Sequence, residues 1–294
     1  MTYADLSIIT DSASDITPKQ ASEWGVSVIA LKTIFSDGEF RCGLDLTPEG
    51  FFEKLIETGE MPSTSQPSPS EFQEAFRKEL DKGNEVLVIA LSSKLSGTCQ
   101  SAELARLQFS PEEQARIHVF DSLNVCIGQL TLVYMAVQLR AAGKGTREIL
   151  TLLEGYRSRI RLVALLDTLE YLKKGGRISP AVAAAGSLLA IKPVIAVEEG
   201  EIALVGKARG SKNGRNQIVK SIEKYGGADF AMPLWFGYSG LDDALLRKYL
   251  QDNAALYSDY PDETHITGIG ATIGSHVGPG AIAVVFFSPE GSAV

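Results

Sequence analysis

The feature of this sequence that most restricts its fold is the alternation of short apolar runs and helical segments through the first half of the chain. Turn or capping residues bound each run, and helical patterns lie between most of the runs. This order predicts an α/β fold whose N-terminal sheet is mostly parallel, with helices on both faces. The strands are predicted at residues 6–10, 26–31, 86–91 and 117–120.

Hydroxyl residues placed before a proline predict where helices of this half begin. Such a side chain accepts a hydrogen bond from the first helical turn, and proline suits the first helical position because no N–H is needed there. The pairs are Thr17 with Pro18, Thr47 with Pro48, and Ser68 with Pro69. Glu71 stands at the spacing of a capping box, and we expect this helix to end at Gly83.

A change of pattern near residue 160 divides the chain. Residues 123–142 have the pattern of a long apolar helix, which Gly143 and Gly145 follow, and Thr146 is placed to cap a second helix that reaches about Ile160. We therefore predict a parallel α/β domain at residues 1–160 and a second α/β domain, with a mixed sheet, at residues 161–294.

A tight turn distinguishes the sheet of the second half. Glu199 and Gly200 are typical of a hairpin turn between two antiparallel strands, so this sheet is at least partly antiparallel. Its strands are predicted at residues 162–166, 194–197, 202–205, 230–237, 264–266 and 282–287.

The charge balance excludes several kinds of partner. The 294 residues include 28 Lys and Arg against 36 Asp and Glu, a net charge of −8. This charge repels nucleic acid and anionic membrane surfaces. The first residues lack the basic start and apolar run of a signal peptide, and no run of about 18 apolar residues is present. We expect a cytoplasmic protein that does not bind nucleic acid and does not insert stably into a membrane.

The cysteines indicate neither a metal site nor disulfides. Cys42, Cys99 and Cys126 are odd in number and far apart in the sequence, with no spacing that suits zinc. We expect them to be small buried side chains, and we expect no metal and no cofactor.

Two segments rich in hydroxyl groups are candidates for binding an anion. Residues 63–68 precede a capped helix, and residues 92–98 follow the predicted strand 86–91 where another helix opens. Ligands collect at the carboxyl ends of strands in open α/β sheets, where helix N-termini direct N–H groups at anions. Ordinary turns and helix caps explain the same residues, so the choice stays open at this point. The candidates are Thr64, Ser65, Ser96, Gly97 and Thr98.

Four further segments are candidates for a functional role. Residues 173–180 form a basic turn that contains Arg177, and residues 207–212 form a basic cluster that contains Arg209. The first is compatible with a solvated helix C-terminus that ends in glycine. The second is compatible with an exposed turn or with a docking patch for an acidic or phosphorylated partner. Residues 181–186 are nearly all small, which suits close helix packing or an apolar ligand. His276 precedes Gly278, Pro279 and Gly280, and we predict that a tight loop presents it.

Taken together, these segments resemble the DegV family, the fatty-acid-binding proteins that serve as acyl-carrying subunits of bacterial fatty acid kinases. The resemblance covers nearly the whole chain. The residues that carry it are Thr10-Asp11-Ser12 with Asp15, Thr64-Ser65-Gln66-Pro67, Leu95-Ser96-Gly97-Thr98, Lys174-Gly175-Gly176-Arg177-Ile178-Ser179, Lys192-Pro193, and His276-Val277-Gly278-Pro279-Gly280.

This resemblance implies a lipid carrier and not an enzyme. A long-chain fatty acid such as palmitate, stearate or oleate would lie in an apolar tunnel at the junction of the two domains. Its carboxylate would be held by Thr64 and Ser96, and Arg177 and Arg209 would lie near the head group or on the face that docks a kinase. The remaining residues implied for the fatty-acid site are Ser65, Gly97, Thr98 and His276.

The resemblance also implies a partner and a pathway. A separate kinase that resembles dihydroxyacetone kinases would convert the bound acid to an acyl phosphate for phospholipid synthesis. A regulatory role for the carrier is equally compatible with the sequence.

Two other functions are weighed against the carrier. One is a serine hydrolase acting on acyl esters, with Ser96 as nucleophile and His276 as base, although no Gly-x-Ser-x-Gly elbow surrounds Ser96. The other is a nucleotide-binding protein that uses Gly268, Gly270 and Gly274, whose spacing differs from that of dinucleotide-binding loops.

Overall fold

The structure is a computed structural model that describes residues 6–178, 191–260 and 265–291. The strands, in chain order, are β1 (Leu6–Asp11), β2 (Val26–Ile29), β3 (Lys32–Phe35), β4 (Gly38–Arg41), β5 (Ser63–Ser65), β6 (Glu85–Ala90), β7 (Ile117–Asp121), β8 (Ile160–Leu165), β9 (Ile191–Glu198), β10 (Glu201–Arg209), β11 (Trp235–Tyr238), β12 (His265–Gly268) and β13 (Ile282–Phe287). The α-helices are α1 (Pro18–Trp24), α2 (Pro48–Thr58), α3 (Pro69–Leu80), α4 (Thr98–Arg106), α5 (Pro111–Gln114), α6 (Ile127–Ala141), α7 (Thr146–Arg159), α8 (Glu170–Lys174), α9 (Ser211–Lys224), α10 (Ala244–Asp252) and α11 (Ala271–Val277).

The first sheet is parallel throughout, in the order β2-β1-β6-β7. Helices α3 and α4 pack on one face, where Phe72 and Phe76 join a core with Ile9. Helix α6 covers the other face, where Leu130 packs in the same cluster as Ile8. The predicted parallel sheet with helices on both faces is confirmed.

The second sheet is mixed, in the order β10-β9-β8-β13-β11-β12. All its neighbours are antiparallel except β11 and β12, which are parallel. The predicted hairpin turn is confirmed, because Glu199 and Gly200 have φ values of 48° and 83° between the antiparallel strands β9 and β10. Helices α9 and α10 pack on the face opposite α6.

A third sheet, β4-β3-β5, was not predicted. Its strands have three or four residues each and no uniform apolar run, so the sequence pattern does not reveal them. The sheet packs against α2 and α11 through Phe35, Phe51, Phe52 and Ala271. Residues 63–65, predicted as part of a loop, form the edge strand β5, and Thr64 lies opposite Thr33.

Helix α6 lies between the two large sheets and contacts strands of both. Residues 127–133 of this helix are all buried. Among them, Gln129 donates hydrogen bonds to Thr10 Oγ1 and Asp11 Oδ2 of β1, at 3.1 Å and 3.0 Å. One continuous apolar cluster therefore includes residues of the first sheet, α6 and the second sheet.

The predicted helix caps are largely confirmed. The hydroxyls of Thr17, Thr47 and Ser68 each accept a hydrogen bond from a backbone N–H three residues on, and Glu71 completes a capping box with Ser68. Thr146 is an exception, since it is the first residue of α7 and Gly145 is the cap, with no side-chain bond.

Several predicted boundaries are wrong for reasons visible in the backbone. Helix α6 begins at Ile127 and not at residue 123, because Leu123 and Cys126 have φ values of 45° and 58°, which no right-handed helix accommodates. Helix α3 ends at Leu80, before the predicted Gly83. The strand predicted at residues 230–237 begins only at Trp235.

The three cysteines are free thiols, as expected from their spacing. Cys42 and Cys126 are buried as predicted, whereas Cys99 is only partly buried. Burial raises the pKa of all three thiols, so the reactive thiolate form is disfavoured.

Asp15 connects the segment after β1 to the start of α11. Its Oδ1 accepts a hydrogen bond of 2.9 Å from the N–H of Gly270, 255 residues away in sequence. Burial raises the pKa of Asp15 to about 7, and it raises that of the neighbouring Asp11 to about 6 despite hydrogen bonds to Asp11 from Leu91 and Gln129. The fold therefore holds two carboxyl groups in apolar surroundings beside the central helix.

We expect Asp15→Asn to reduce the loss of stability that the wild-type protein undergoes as the pH rises from about 4 to about 7. The folded-state pKa of about 7 lies above the ordinary value of 3.8. Stability from the neutral carboxyl is thus complete below about pH 4 and is lost as the pH rises through 7. The asparagine keeps an oxygen for Gly270 and carries no charge. Urea unfolding should show that the variant's free energy of unfolding, relative to that of the wild type, is about 1–4 kcal/mol higher at pH 8 than at pH 4.

Asp81→Asn, at an exposed site in the same half of the chain, is the matched control. An unchanged pH dependence in the Asp15→Asn protein would contradict the assignment of a raised pKa to Asp15.

Candidate functional site

A cavity of about 340 Å³ lies at the start of α6, between the second sheet and the segments that follow strands of the first sheet. Most of its lining is apolar. Leu91 comes from the end of β6, Leu162 and Ile195 come from the second sheet, and Ile273 comes from α11. The polar residues that line it are Thr64, Ser65, Gln66, Ser96, Arg177, Thr272 and His276.

Thr64 and His276 form the contact that joins the third sheet to α11 at the cavity. Thr64 Oγ1 and His276 Nε2 are 2.9 Å apart, although 212 residues separate them in sequence. The prediction that a loop presents His276 is wrong, because His276 lies in the last turn of α11. The helix ends at Gly278, where φ is 70° and a side chain would collide with the ring of Tyr171.

The imidazole of His276 is partly buried and uncharged at neutral pH. Burial, together with the positive charge of Arg177, lowers its pKa to about 4. The backbone of Gly175, at the end of α8, lies directly against Nδ1, where a side chain would collide with the ring. Nδ1 is buried and has no hydrogen-bond partner among the described residues. One imidazole nitrogen is therefore held by Thr64, while the other faces the backbone of Gly175.

Ser96 and Thr98 lie at the start of α4, beyond the carboxyl end of β6. Ser96 lines the cavity, and its Oγ lies 2.9 Å from Thr98 Oγ1 and 3.3 Å from the Thr98 N–H. Thr98 itself is fully buried and is not among the lining residues. Thr98 was predicted as a binding residue, but it does not face the cavity and instead hydrogen-bonds the Ser96 hydroxyl.

Gln66 is a site residue that the prediction of binding groups missed. Its Nε2 donates a 2.9 Å hydrogen bond to Ser101 Oγ of α4, and its side chain lies against the Cα of Gly97. A side chain at Gly97 would come within 2.7 Å of Gln66 Nε2. Gly97 therefore allows the segment that carries Thr64 to approach the segment that carries Ser96. The sequence signal that could have revealed Gln66 is its place in the motif Thr64-Ser65-Gln66-Pro67.

The two arginines have different places. Arg177 lines the cavity, and its guanidinium donates to the carbonyl oxygens of Leu95, at 3.1 Å, and Gly175, at 2.7 Å. Arg209 is the exposed last residue of the edge strand β10 and is not among the lining residues. The structure thus groups Arg177 with Thr64, Ser65, Ser96 and His276, and leaves Arg209 outside. Ser179 and the small-residue segment 181–186 lie outside the described residues.

The geometry argues against both alternative functions. Ser96 is paired with Thr98 and His276 is paired with Thr64, so a nucleophile–base pair is not formed between Ser96 and His276. Gly274 has a packing role, since a side chain there would come within 2.6 Å of Phe51 and 2.9 Å of Phe52. The N–H of Gly270 is occupied by Asp15.

Two further features of the described residues bear on the kind of site. In the part of the chain that the structure describes, no cluster of three or more His, Cys, Asp or Glu side chains is placed to hold a metal ion. Over the same residues, no helix is both long enough and apolar enough to cross a membrane.

Comparison with known proteins decides the family. A family model described as "Uncharacterised protein, DegV family" matches residues 5–289. The chain belongs to the DegV family. A DegV domain-containing protein of Caldanaerobacter subterraneus is 36% identical over 284 residues, which cover 96% of this chain and 98% of the relative.

Solved structures of DegV proteins share the whole fold. A DegV family protein from Thermus thermophilus, whose structure is described as showing fatty acid binding, is 35% identical, with a TM-score of 0.86 over 97% of this chain and 100% of that one. A stearic acid-binding protein from Eubacterium ventriosum is 25% identical, with a TM-score of 0.85 over 96% and 98% of the two chains. The α/β fold with a parallel and a mixed sheet is therefore that of the DegV family.

We expect Gly97→Ala to destabilise the protein by about 1–3 kcal/mol, because the added methyl group collides with the Gln66 side chain. Gln66→Ala should relieve the collision, so the cost of Gly97→Ala should be much smaller in that background. Urea unfolding of the two single variants and the double variant measures this coupling. An equal cost of Gly97→Ala in both backgrounds would show that Gln66 is not the obstacle.

Proposed function

We propose that this protein is a carrier that binds one long-chain fatty acid in the cavity and performs no chemistry itself. The observation that supports this most is an apolar cavity whose polar groups include Thr64, Ser96, Arg177 and His276. The Thermus and Eubacterium relatives, described as binding fatty acid and stearic acid, support the same ligand class. In this proposal the acid lies where the segments before and after residue 160 meet.

The apolar walls account for affinity. An acyl chain of about 15 methylenes gains roughly 0.8 kcal/mol for each methylene that leaves water, or about 12 kcal/mol in total. Several kcal/mol of this are lost because the ligand is immobilised. The remainder is enough for tight binding without any covalent step.

The polar end accounts for the carboxylate. A buried carboxylate is costly unless it is hydrogen-bonded, and bonds from hydroxyl and guanidinium groups to a charged oxygen are among the stronger ones. Thr64 and Ser96 supply hydroxyl groups, and Arg177 supplies positive charge nearby. The neutral imidazole of His276 orients Thr64 through the 2.9 Å bond without adding a second cation.

The same donors suit a phosphate, which supports a further step. We propose that a separate kinase, one that resembles dihydroxyacetone kinases, phosphorylates the bound acid and that the acyl phosphate stays on the carrier for phospholipid synthesis. Lys207, Arg209 and Lys212 are exposed and form a basic surface on an acidic protein. This surface is our candidate for docking the kinase, and the cytoplasm is the compartment we propose.

We expect Thr64→Ala and Ser96→Ala each to weaken palmitate binding about 10- to 100-fold, because each removes a hydrogen bond to a charged group worth roughly 1.5–3 kcal/mol. Calorimetric titration measures the dissociation constants. Ser63→Ala, on the same strand as Thr64, and Ser93→Ala, in the same loop as Ser96, are matched controls at exposed positions. Equal affinity of all four variants and the wild type would contradict the assignment of the carboxylate site.

We expect the two arginines to separate binding from phosphorylation. Arg177→Ala should weaken palmitate binding, because Arg177 lines the cavity. Arg209→Ala should leave the dissociation constant unchanged and lower the rate of acyl phosphate formation by the partner kinase. An unchanged rate with Arg209→Ala would remove this surface from the docking proposal.

A further inference from the structure

The β9–β10 hairpin continues past the part of β9 that pairs with β8 and forms one wall of the cavity. Pairing of β8 with β9 runs from Leu165 opposite Val194 to Val163 opposite Ala196. Pairing of β9 with β10 continues past this point to the turn. Val197 and Ile202 lie opposite each other in this outer part of the hairpin, and both line the cavity.

The hairpin wall lies away from His276, at the other end of the part of β8 that lines the cavity. Leu162, within β8, and Leu166, directly after this strand, both line the cavity. They lie four residues apart, a separation of roughly 13 Å along an extended strand. Leu166 leads into α8, whose end lies against His276. Leu162 lies toward the end of the cavity away from His276, where the outer part of the β9–β10 hairpin continues the wall. A chain whose carboxylate is held near His276 therefore runs toward Val197 and Ile202.

The tip of the hairpin is held in place. Ser92, which is fully buried, donates a 2.8 Å hydrogen bond from its hydroxyl to the carbonyl oxygen of Gly200. A side chain at Gly200 would come within 2.7 Å of Ser92 Oγ and 3.0 Å of Leu123 Cδ2. The wall that carries Val197 and Ile202 is thus clamped to the loop after β6. A packed, fixed wall discriminates ligands by length, because neither side chains nor backbone can withdraw at low cost.

We propose that Val197 and Ile202 form the stop for the methyl end of the acyl chain and thereby determine which chain length the protein prefers. This inference rests on the proposed function, since it names the residues that select among fatty acids at the same cavity. Removing carbon atoms from the stop lengthens the space for the chain, and adding them shortens it.

Competition between saturated acids from myristate to arachidate, measured on delipidated protein, tests the stop. Val197→Ala and Ile202→Ala should move the preferred acid to a longer homologue and raise the affinity ratio of longer to shorter acid about tenfold or more. Val197→Phe should move the preference the other way. Val194→Ala is the matched control, because Val194 lies on the same strand but packs in the core on the opposite face of the sheet. Thermal unfolding without ligand verifies that each variant is folded.

The possible outcomes separate this inference from the proposed function. If both alanine variants bind fatty acids with the wild-type length preference, the inference is overturned and the carrier function stands. The same follows if Val194→Ala shifts the preference equally, or if Ile269→Ala, at a different part of the cavity wall, shifts it while the hairpin variants do not. Failure of the wild-type protein to bind any of the acids would overturn both.

Discussion

The packing of α6 between the two large sheets is the constraint on which the rest of the structure depends. Residues 127–133 are buried whichever way their side chains point, because one sheet lies on each side of the helix. Gln129 fits this setting only because its amide donates to β1. The two sheets therefore share one apolar core, and that core includes Leu91, Val125 and Leu162. These three residues also line the cavity, so the candidate site is an unfilled part of the core itself.

The polar part of the site follows from how three segments meet at this core. Thr64 comes from the edge strand β5, Ser96 from the turn before α4, and His276 from α11. Gly97 lets the first two segments approach, and the Thr64–His276 hydrogen bond connects the third. Burial keeps His276 neutral, so the positive charge beside it comes from Arg177. The site thereby combines a few directed hydrogen-bond donors with an apolar wall, which suits an amphiphile with an anionic head.

Local sequence patterns were sufficient to predict much of the fold. The buried strands of the parallel sheet are uniform apolar runs, and the hairpin at Glu199 and Gly200 has the residues its backbone requires. The third sheet was missed because its short strands lack such a run, and His276 was placed in a loop because a seven-residue helix with Gly274 inside it has little helical signal. These two elements form the Thr64–His276 pair. That contact depends on packing between segments 212 residues apart, which no local pattern encodes.

The family motifs pointed to segments that the structure brings together at one cavity, but they did not assign a role to each residue. Thr98 hydrogen-bonds Ser96 without lining the cavity, and Arg209 lies outside the cavity. Gln66 is not a predicted binding residue, yet its contacts with Gly97 and Ser101 join two of the segments that form the site. Distinguishing a residue that touches a ligand from one that positions its neighbour requires the three-dimensional arrangement.

The central claim is that the cavity holds a fatty acid. Mass spectrometry of the purified protein under native and denaturing conditions, with identification of the lipids in an organic extract of the same sample, tests it most directly. The account predicts a native mass that exceeds the denatured mass by one fatty acid per chain, and the same acid in the extract. An equal mass in both conditions, together with no uptake of added palmitate or stearate, would contradict it.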